Sequence, residues 1–291
     1  MKANVKKVAA VLNPPAPHMV GDGFRVHNFF PSGYRLNMSP FFMLDYNAKI
    51  EFSARNEPRG VGVHPHRGFE TVTIAYHGAV AHHDSAGNSG TIYPGDVQWM
   101  TAASGILHKE YHEESYSKKG GPFQMVQLWV NLPAQHKMST PKYQGVKQSD
   151  MQKLVLPNEQ GIIEVIAGDY QGIKGSVTTF SPIEMYNARL NKTAQATFSF
   201  PAHYNTAFVV IEGSIKVNGT EQANTNQMVY FENEGEEIEL EALENSIVLI
   251  LSGEPINEPV AAYGPFLMNK PEEIQQAIAD YNEGKFGYLE D

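Results

Sequence analysis

The chain contains no cysteine. Disulfides, thiolate metal sites and cysteine nucleophiles are therefore excluded together, and any metal must be held by nitrogen and oxygen ligands. Basic residues are also scarce. There are 22 Lys and Arg against 32 Asp and Glu, for a formal net charge of −10, and no Lys/Arg run is longer than a pair. Such a balance repels nucleic-acid backbones and anionic membranes, so neither is an expected partner. No stretch of about 18 apolar residues occurs, so no membrane-spanning helix is expected. The opening MKANVKKVAAVLNPP lacks the apolar stretch of a signal peptide, and the cytoplasm is the expected compartment.

What is present suits a soluble chain with a proper core: 291 residues, 42% hydrophobic and 19% charged. That length allows one large domain or two of about 100–200 residues each. Short β-rich runs dominate, among them FETVTIAY, FQMVQLWVNL, IIEVIAGDY, TAFVVIEGSIKVNG and SIVLILSG. Gly, Pro, Asn and Asp separate them at short intervals, which predicts an all-β sandwich or barrel rather than βαβ units. The polar stretch 132–151 breaks the pattern and reads as a linker, giving domains at 1–134 and 135–291. TIAYHGAVAHHD (73–84) and AFVVIEGSIKVNG (207–219) share a strand–Gly–strand arrangement, which suggests duplication of one small β unit. One helix is predicted near the C-terminus. Pro271 opens it, Glu272 and Glu273 sit in its first turn, and Gly284 follows it. Its apolar residues Ile274, Ala277, Ile278 and Tyr281 recur at helical spacing and would pack on a β domain.

The chemistry concentrates in GVHPHRGFETV (62–72) and GILHKEYH (105–112). On a strand, residues two apart point to one side, so His64 and His66 share a face, as do His108 and Glu110. Two strands offering two ligands each would give three imidazoles and one carboxylate. That set suits Fe, Mn, Co, Ni, Cu or Zn as divalent ions and does not suit Ca²⁺ or Mg²⁺. Four protein ligands would leave an octahedral ion two open positions for O₂ or a substrate oxygen. The residues alone leave Glu70, which has the parity of His64 and His66, as a rival to Glu110.

The wording of these stretches resembles the pirin family of the cupin superfamily. HPHRGFETVT, YPGDVQWMTAASGILHKE, VQLWVNLP, EPVAAYGPFLMN and DYNEGKFG carry the likeness, which runs from VGDGFRV (20–26) to the last helix. The resemblance implies a bicupin: two jelly-roll β barrels face to face, with a short C-terminal helix and a metal in the N-terminal barrel only. It places the ligands at His64, His66, His108 and Glu110, with Fe(II) foremost among the ions. Glu70, where ordinary cupins have their glutamate, would then support a ligand histidine. The proline that cupins usually carry five residues before the third histidine is Ala103 here, which departs from generic cupins and matches the pirin wording. The resemblance also implies an oxidoreductase like quercetin 2,3-dioxygenase, opening a flavonol ring with O₂ and releasing carbon monoxide, with Glu110 as catalytic base. A second implied role is binding to transcription factors or enzymes, switched by the redox state of the iron.

The remaining histidines read more plainly. His82 and His83, in AHHDSAGNSG, read as a polar strand end, with lining of the site's mouth as the alternative. His112 shares the face of Glu110 and is a candidate for the site's surroundings. His18, His27, His77 and His136 read as surface or satisfied core residues. His203 and Asn205 are the only counterpart of the H-x-H in the second half, too poor a donor set for a transition metal, so that half is expected to be metal-free. Trp99, Met100, Phe123 and Trp129 read as core, some of them walling a pocket. Arg67 and Asp96 are candidates for hydrogen bonds around the site.

Overall fold

The computed structural model describes residues 4–31 and 33–290. The chain forms two compact units. The first comprises Pro15–Leu36, Pro40–Gln148 and the chain from Ile256 onward; the second comprises the chain up to Pro14, Asn37–Ser39 and Ser149–Pro255.

Both units use one plan, a seven-stranded antiparallel sheet with a four-stranded one. In the first unit the large sheet runs Lys142–Val146, Val97–Thr101, Phe69–His77, Gly121–Asn131, Phe41–Phe52, Phe24–Phe30, His18–Val20. Its small sheet runs Gly60–His66, Ile106–His112, Val80–Asp84, Ser89–Ile92. In the second unit the small sheet runs Gln195–Ser199, Glu237–Ala242, Ser214–Val217, Glu221–Asn224. The two echoing segments fall at the same step of the plan. At Gly78 and at Gly213 the chain leaves a large-sheet strand for a small-sheet strand. This is the duplicated jelly roll of a bicupin.

The two interiors differ in chemistry. In the second unit the outermost small-sheet strand pairs Ala196 with Leu240 and Phe198 with Ile238. These four side chains are at most 6% exposed and belong to a continuous apolar core. In the first unit the strand in that place carries His64 and His66, and the large sheet behind it is polar. One row of cross-strand partners reads Asn28, Asp45, Gln127, Thr73, Gln98. Cross-strand partners share a face of a sheet. Five polar residues in one row are poor core material, which reserves that interior for a ligand.

The expected boundaries 1–134 and 135–291 differ from this partition at Asn37–Ser39, which belongs to the second unit, and at three longer segments. Residues 132–151 are not a free linker, because Lys142–Val146 pairs with Val97–Thr101 as the edge of the first unit's large sheet. The N-terminal strand Val8–Leu12 pairs with Met228–Phe231 and so belongs to the second unit. The C-terminal helix Pro271–Asn282 belongs to the first, where Ile274 and Ala277 join Leu107, Phe266, Met268 and Phe286 in one apolar cluster. The apolar face predicted from periodicity is correct except at Tyr281, which is 41% exposed. No helix among the described residues is long and apolar enough to cross a membrane.

Candidate metal centre

The strands Gly60–His66 and Ile106–His112 are antiparallel neighbours, and His64 lies directly opposite His108. Strand parity then sends His66 to the same side. The outward positions Lys109 and Tyr111 stay partly exposed, while His108, Glu110 and His112 are buried. The imidazoles of His64, His66 and His108 converge so that one ligand atom from each lies within 4.8 Å of the others. Their ring centroids are 4.2 Å (His64–His108), 4.6 Å (His66–His108) and 4.9 Å (His64–His66) apart.

The donor atoms are prepared for a cation. Both ring nitrogens of His108 and Nδ1 of His66 are buried without a hydrogen-bond partner. Uncompensated burial of polar atoms is costly, and native structures seldom tolerate it without a purpose. His64 Nδ1 lies 2.8 Å from the Gly62 carbonyl; donating there leaves Nε2 with its lone pair. Burial holds His66 and His108 well below the ordinary imidazole range, and the neighbouring histidines push the same way. Neutral imidazoles are the form that ligates a metal. Three such rings at this spacing, with no thiolate nearby, fit a first-row divalent ion.

Glu110 is not part of that tight group. It borders a small cavity shared with His64, Asp45, Asn47 and Gln127 and walled by Val20, Phe24, Val26, Val61 and Met125. Gln127 Nε2 donates to its Oε2 at 2.7 Å, and Thr73 Oγ1 donates to Oε1 at 3.3 Å. Both donors come from the polar row of the large sheet. Burial raises the Glu110 pKa, while the hydrogen bond from Gln127 acts against it.

Glu70 sits elsewhere. Gly68, at φ +90°, turns the chain between the histidine strand and Phe69–His77, so the parity that linked Glu70 to His64 does not carry across. A Cβ at Gly68 would lie 2.0 Å from the Leu267 carbonyl oxygen, so only glycine fits the turn. Glu70 accepts from Thr101 Oγ1 at 2.7 Å, and burial pushes its pKa up to about 7. His112 is also outside the group. It donates from Nε2 to Gly23 O (2.8 Å) and stacks on Phe123 at 4.6 Å, within an aromatic cluster that includes Phe24 and Phe52.

The surroundings of the site were legible in the sequence only in part. His82 is no polar strand end: it is 1% exposed, lies opposite Glu110 in the sheet register, and holds Tyr143 Oη at 2.8 Å on Nε2. Burial lowers its pKa to about 4. The alternation His82-x-Asp84, both buried, was the available signal. Trp129 stacks on Phe69 at 4.1 Å and meets the His66 ring edge-on at 5.3 Å, so it packs against the site. Arg67 gives Nη1 to Asp280 at 2.8 Å and Nε to the Ser104 carbonyl at 2.7 Å, which anchors the C-terminal helix to the histidine strand. Asp96 accepts from Tyr93 N, Gln148 N and Lys147 Nζ and holds a turn. In the second unit, His203 is on the surface 3.7 Å from Glu254, while Asn205 is buried with its amide on Ser39 O.

Family models match the chain in two places: Pirin over residues 23–130 and the Pirin C-terminal cupin domain over 185–287. A protein of Pseudomonas aeruginosa that carries the provisional name quercetin 2,3-dioxygenase PA2418 is 45% identical over 97% of this chain and 99% of its own. Pirin-like protein 2 of Arabidopsis thaliana is 37% identical over 98% of this chain and 85% of its own. The crystal structure of a quercetin 2,3-dioxygenase from Acinetobacter baumannii superposes with a TM-score of 0.92 at 46% identity, covering 98% of this chain and 99% of that one.

Proposed function

The chain belongs to the pirin family, and on that premise we propose that it is a metal-dependent dioxygenase that opens the ring of quercetin or a related flavonol with O₂. The observation that carries this reading is the convergence of His64, His66 and His108, with unpartnered ring nitrogens, beside a cavity that Glu110 also borders. His64, His66 and His108 are the fixed ligands and Glu110 the fourth. Fe(II) is the ion we assign; Mn, Co, Ni, Cu or Zn would be accepted by the same donors. The bound ion supplies Lewis-acid activation of the flavonol's hydroxyketone and a route for O₂ to react with it.

The chain's own groups do the rest. Glu110 accepts the enol proton on a carboxylate oxygen, and its burial, which raises its pKa, makes it a stronger base than a solvated glutamate. Gln127 and Thr73 hold that carboxylate in place as it changes charge. Phe24, Val26, Val61 and Met125 keep water from the reacting ring. A Glu110→Gln protein tests the base role, with flavonol absorbance followed under air at matched metal content. Turnover is expected to fall by about 10²–10⁴-fold. Full turnover in that variant would remove Glu110 from the chemistry.

A further inference from the structure

Asp45 and Asn47 occupy alternate positions of the strand Phe41–Phe52 and face the same interior as the ligands. Asp45 pairs across the sheet with Gln127, and Asn47 with Met125. Both border the cavity that reaches His64 and Glu110. Their surroundings differ. Asp45 is engaged: Asn28 Nδ2 donates to its Oδ1 at 2.7 Å. Asn47 is only 2% exposed, yet neither its Oδ1 nor its Nδ2 has a hydrogen-bond partner. Burying an amide with neither group bonded is unfavourable, and an apolar side chain would have filled the place without that cost. An amide held this way offers one donor and one acceptor to whatever enters the cavity.

We propose that Asn47, seconded by Asp45, is a specificity-determining residue that hydrogen-bonds a hydroxyl group of the substrate remote from the metal-binding end. The inference rests on the dioxygenase reading for the identity of that end. The substrate class is then a planar aromatic hydroxyketone bearing at least one further hydroxyl, placed where the ring leaves the histidines and passes Phe24, Val26 and Met125. Those three side chains contact only its apolar faces. Asn47 can donate to and accept from one hydroxyl at once, and Asp45 accepts from a neighbouring one. A site built around a buried hydrogen bond rejects the analogue that lacks the hydroxyl, because the amide is again left unpaired.

The test compares quercetin with 3-hydroxyflavone, which keeps the hydroxyketone and has no other hydroxyl. Each is measured for kcat/KM with metal-loaded wild type, Asn47→Leu and Asn47→Ala. Dissociation constants are measured anaerobically for the same pairs, and metal content confirms that each variant is folded. Wild type is expected to favour quercetin by about tenfold or more, the discrimination available from one buried hydrogen bond. Both variants should bring the ratio close to one, by raising KM and Kd for quercetin and, with the unpaired amide gone, by leaving those for 3-hydroxyflavone the same or lower. An unchanged ratio, a parallel loss on both compounds, or no binding of either would overturn the assignment. Absence of turnover with the Kd preference intact and abolished by Asn47→Leu would refute the dioxygenase reading and leave the role of Asn47 standing.

Discussion

Replacing Asp280 by Asn tests the tie between the C-terminal helix and the histidine strand. Arg67 directly follows His66, and its guanidinium lies 2.8 Å from Asp280 with the two side chains 5% and 10% exposed. Removing one partner of a pair this deeply buried costs about 3–5 kcal/mol, because the remaining charge loses its compensation. The lower end applies here. An Asn oxygen still accepts from Arg67, and the guanidinium keeps the Ser104 carbonyl and its seat 4.6 Å from the Phe286 ring centroid. A loss of about 3 kcal/mol in a domain of about 150–250 residues lowers Tm by about 6–12 °C. The pH dependence provides an independent handle. Hydrogen bonds from Lys285, Arg67 and Gln276 hold the Asp280 carboxyl well below its ordinary value of 3.8. A carboxylate depressed in the folded state contributes stability that is complete above the unfolded value and is lost as pH falls below it. Calorimetry at intervals from pH 7 to 3 should therefore show a gap between wild type and Asp280→Asn that is widest near neutrality and begins to narrow as pH falls below about 4. A variant within about 1 kcal/mol of wild type at pH 7, or a gap independent of pH, would refute the reasoning.

Three further outcomes are expected. Gln127→Leu removes the 2.7 Å donor to Glu110 and should weaken metal binding by about 10–100-fold in a competitive chelator titration, with the fold retained. Lys137→Met should cost about 2–3 kcal/mol in urea unfolding, since the Lys137 ammonium is buried and its loss leaves Gly68 O, Leu267 O and Asn131 Oδ1, now at 2.6–2.8 Å, without their donor. Stripping the metal should lower Tm, because an ion present at about a thousand times its Kd adds about 4 kcal/mol to the folded state, and re-addition should restore it; the same treatment of a His108→Ala protein should change nothing.

The β architecture and the three histidines were readable because strand parity is a strict rule: residues two apart share a face wherever the chain stays extended. The rule failed where the chain did not. Gly68 breaks the strand before Glu70, which removed the apparent rival ligand from the histidine face. It also needs a partner strand to be informative. His82 reads as polar punctuation in AHHDSAGNSG, and only its position opposite Glu110 places it inside. Gln127, Thr73 and Asp45 form one row only after three strands far apart in sequence are aligned, which no local pattern encodes. The unit boundaries were misread for the same reason. A helix near the C-terminus is local, but the arginine that anchors it lies more than two hundred residues earlier.

The most direct test of the central claim is O₂ consumption with quercetin, after the protein has been stripped of metal and reloaded anaerobically with Fe(II). The account expects turnover with loss of flavonol absorbance, and its abolition in His64→Ala. Stoichiometric iron with no turnover of any flavonol would contradict the dioxygenase reading and leave a metal site whose use lies in binding rather than catalysis.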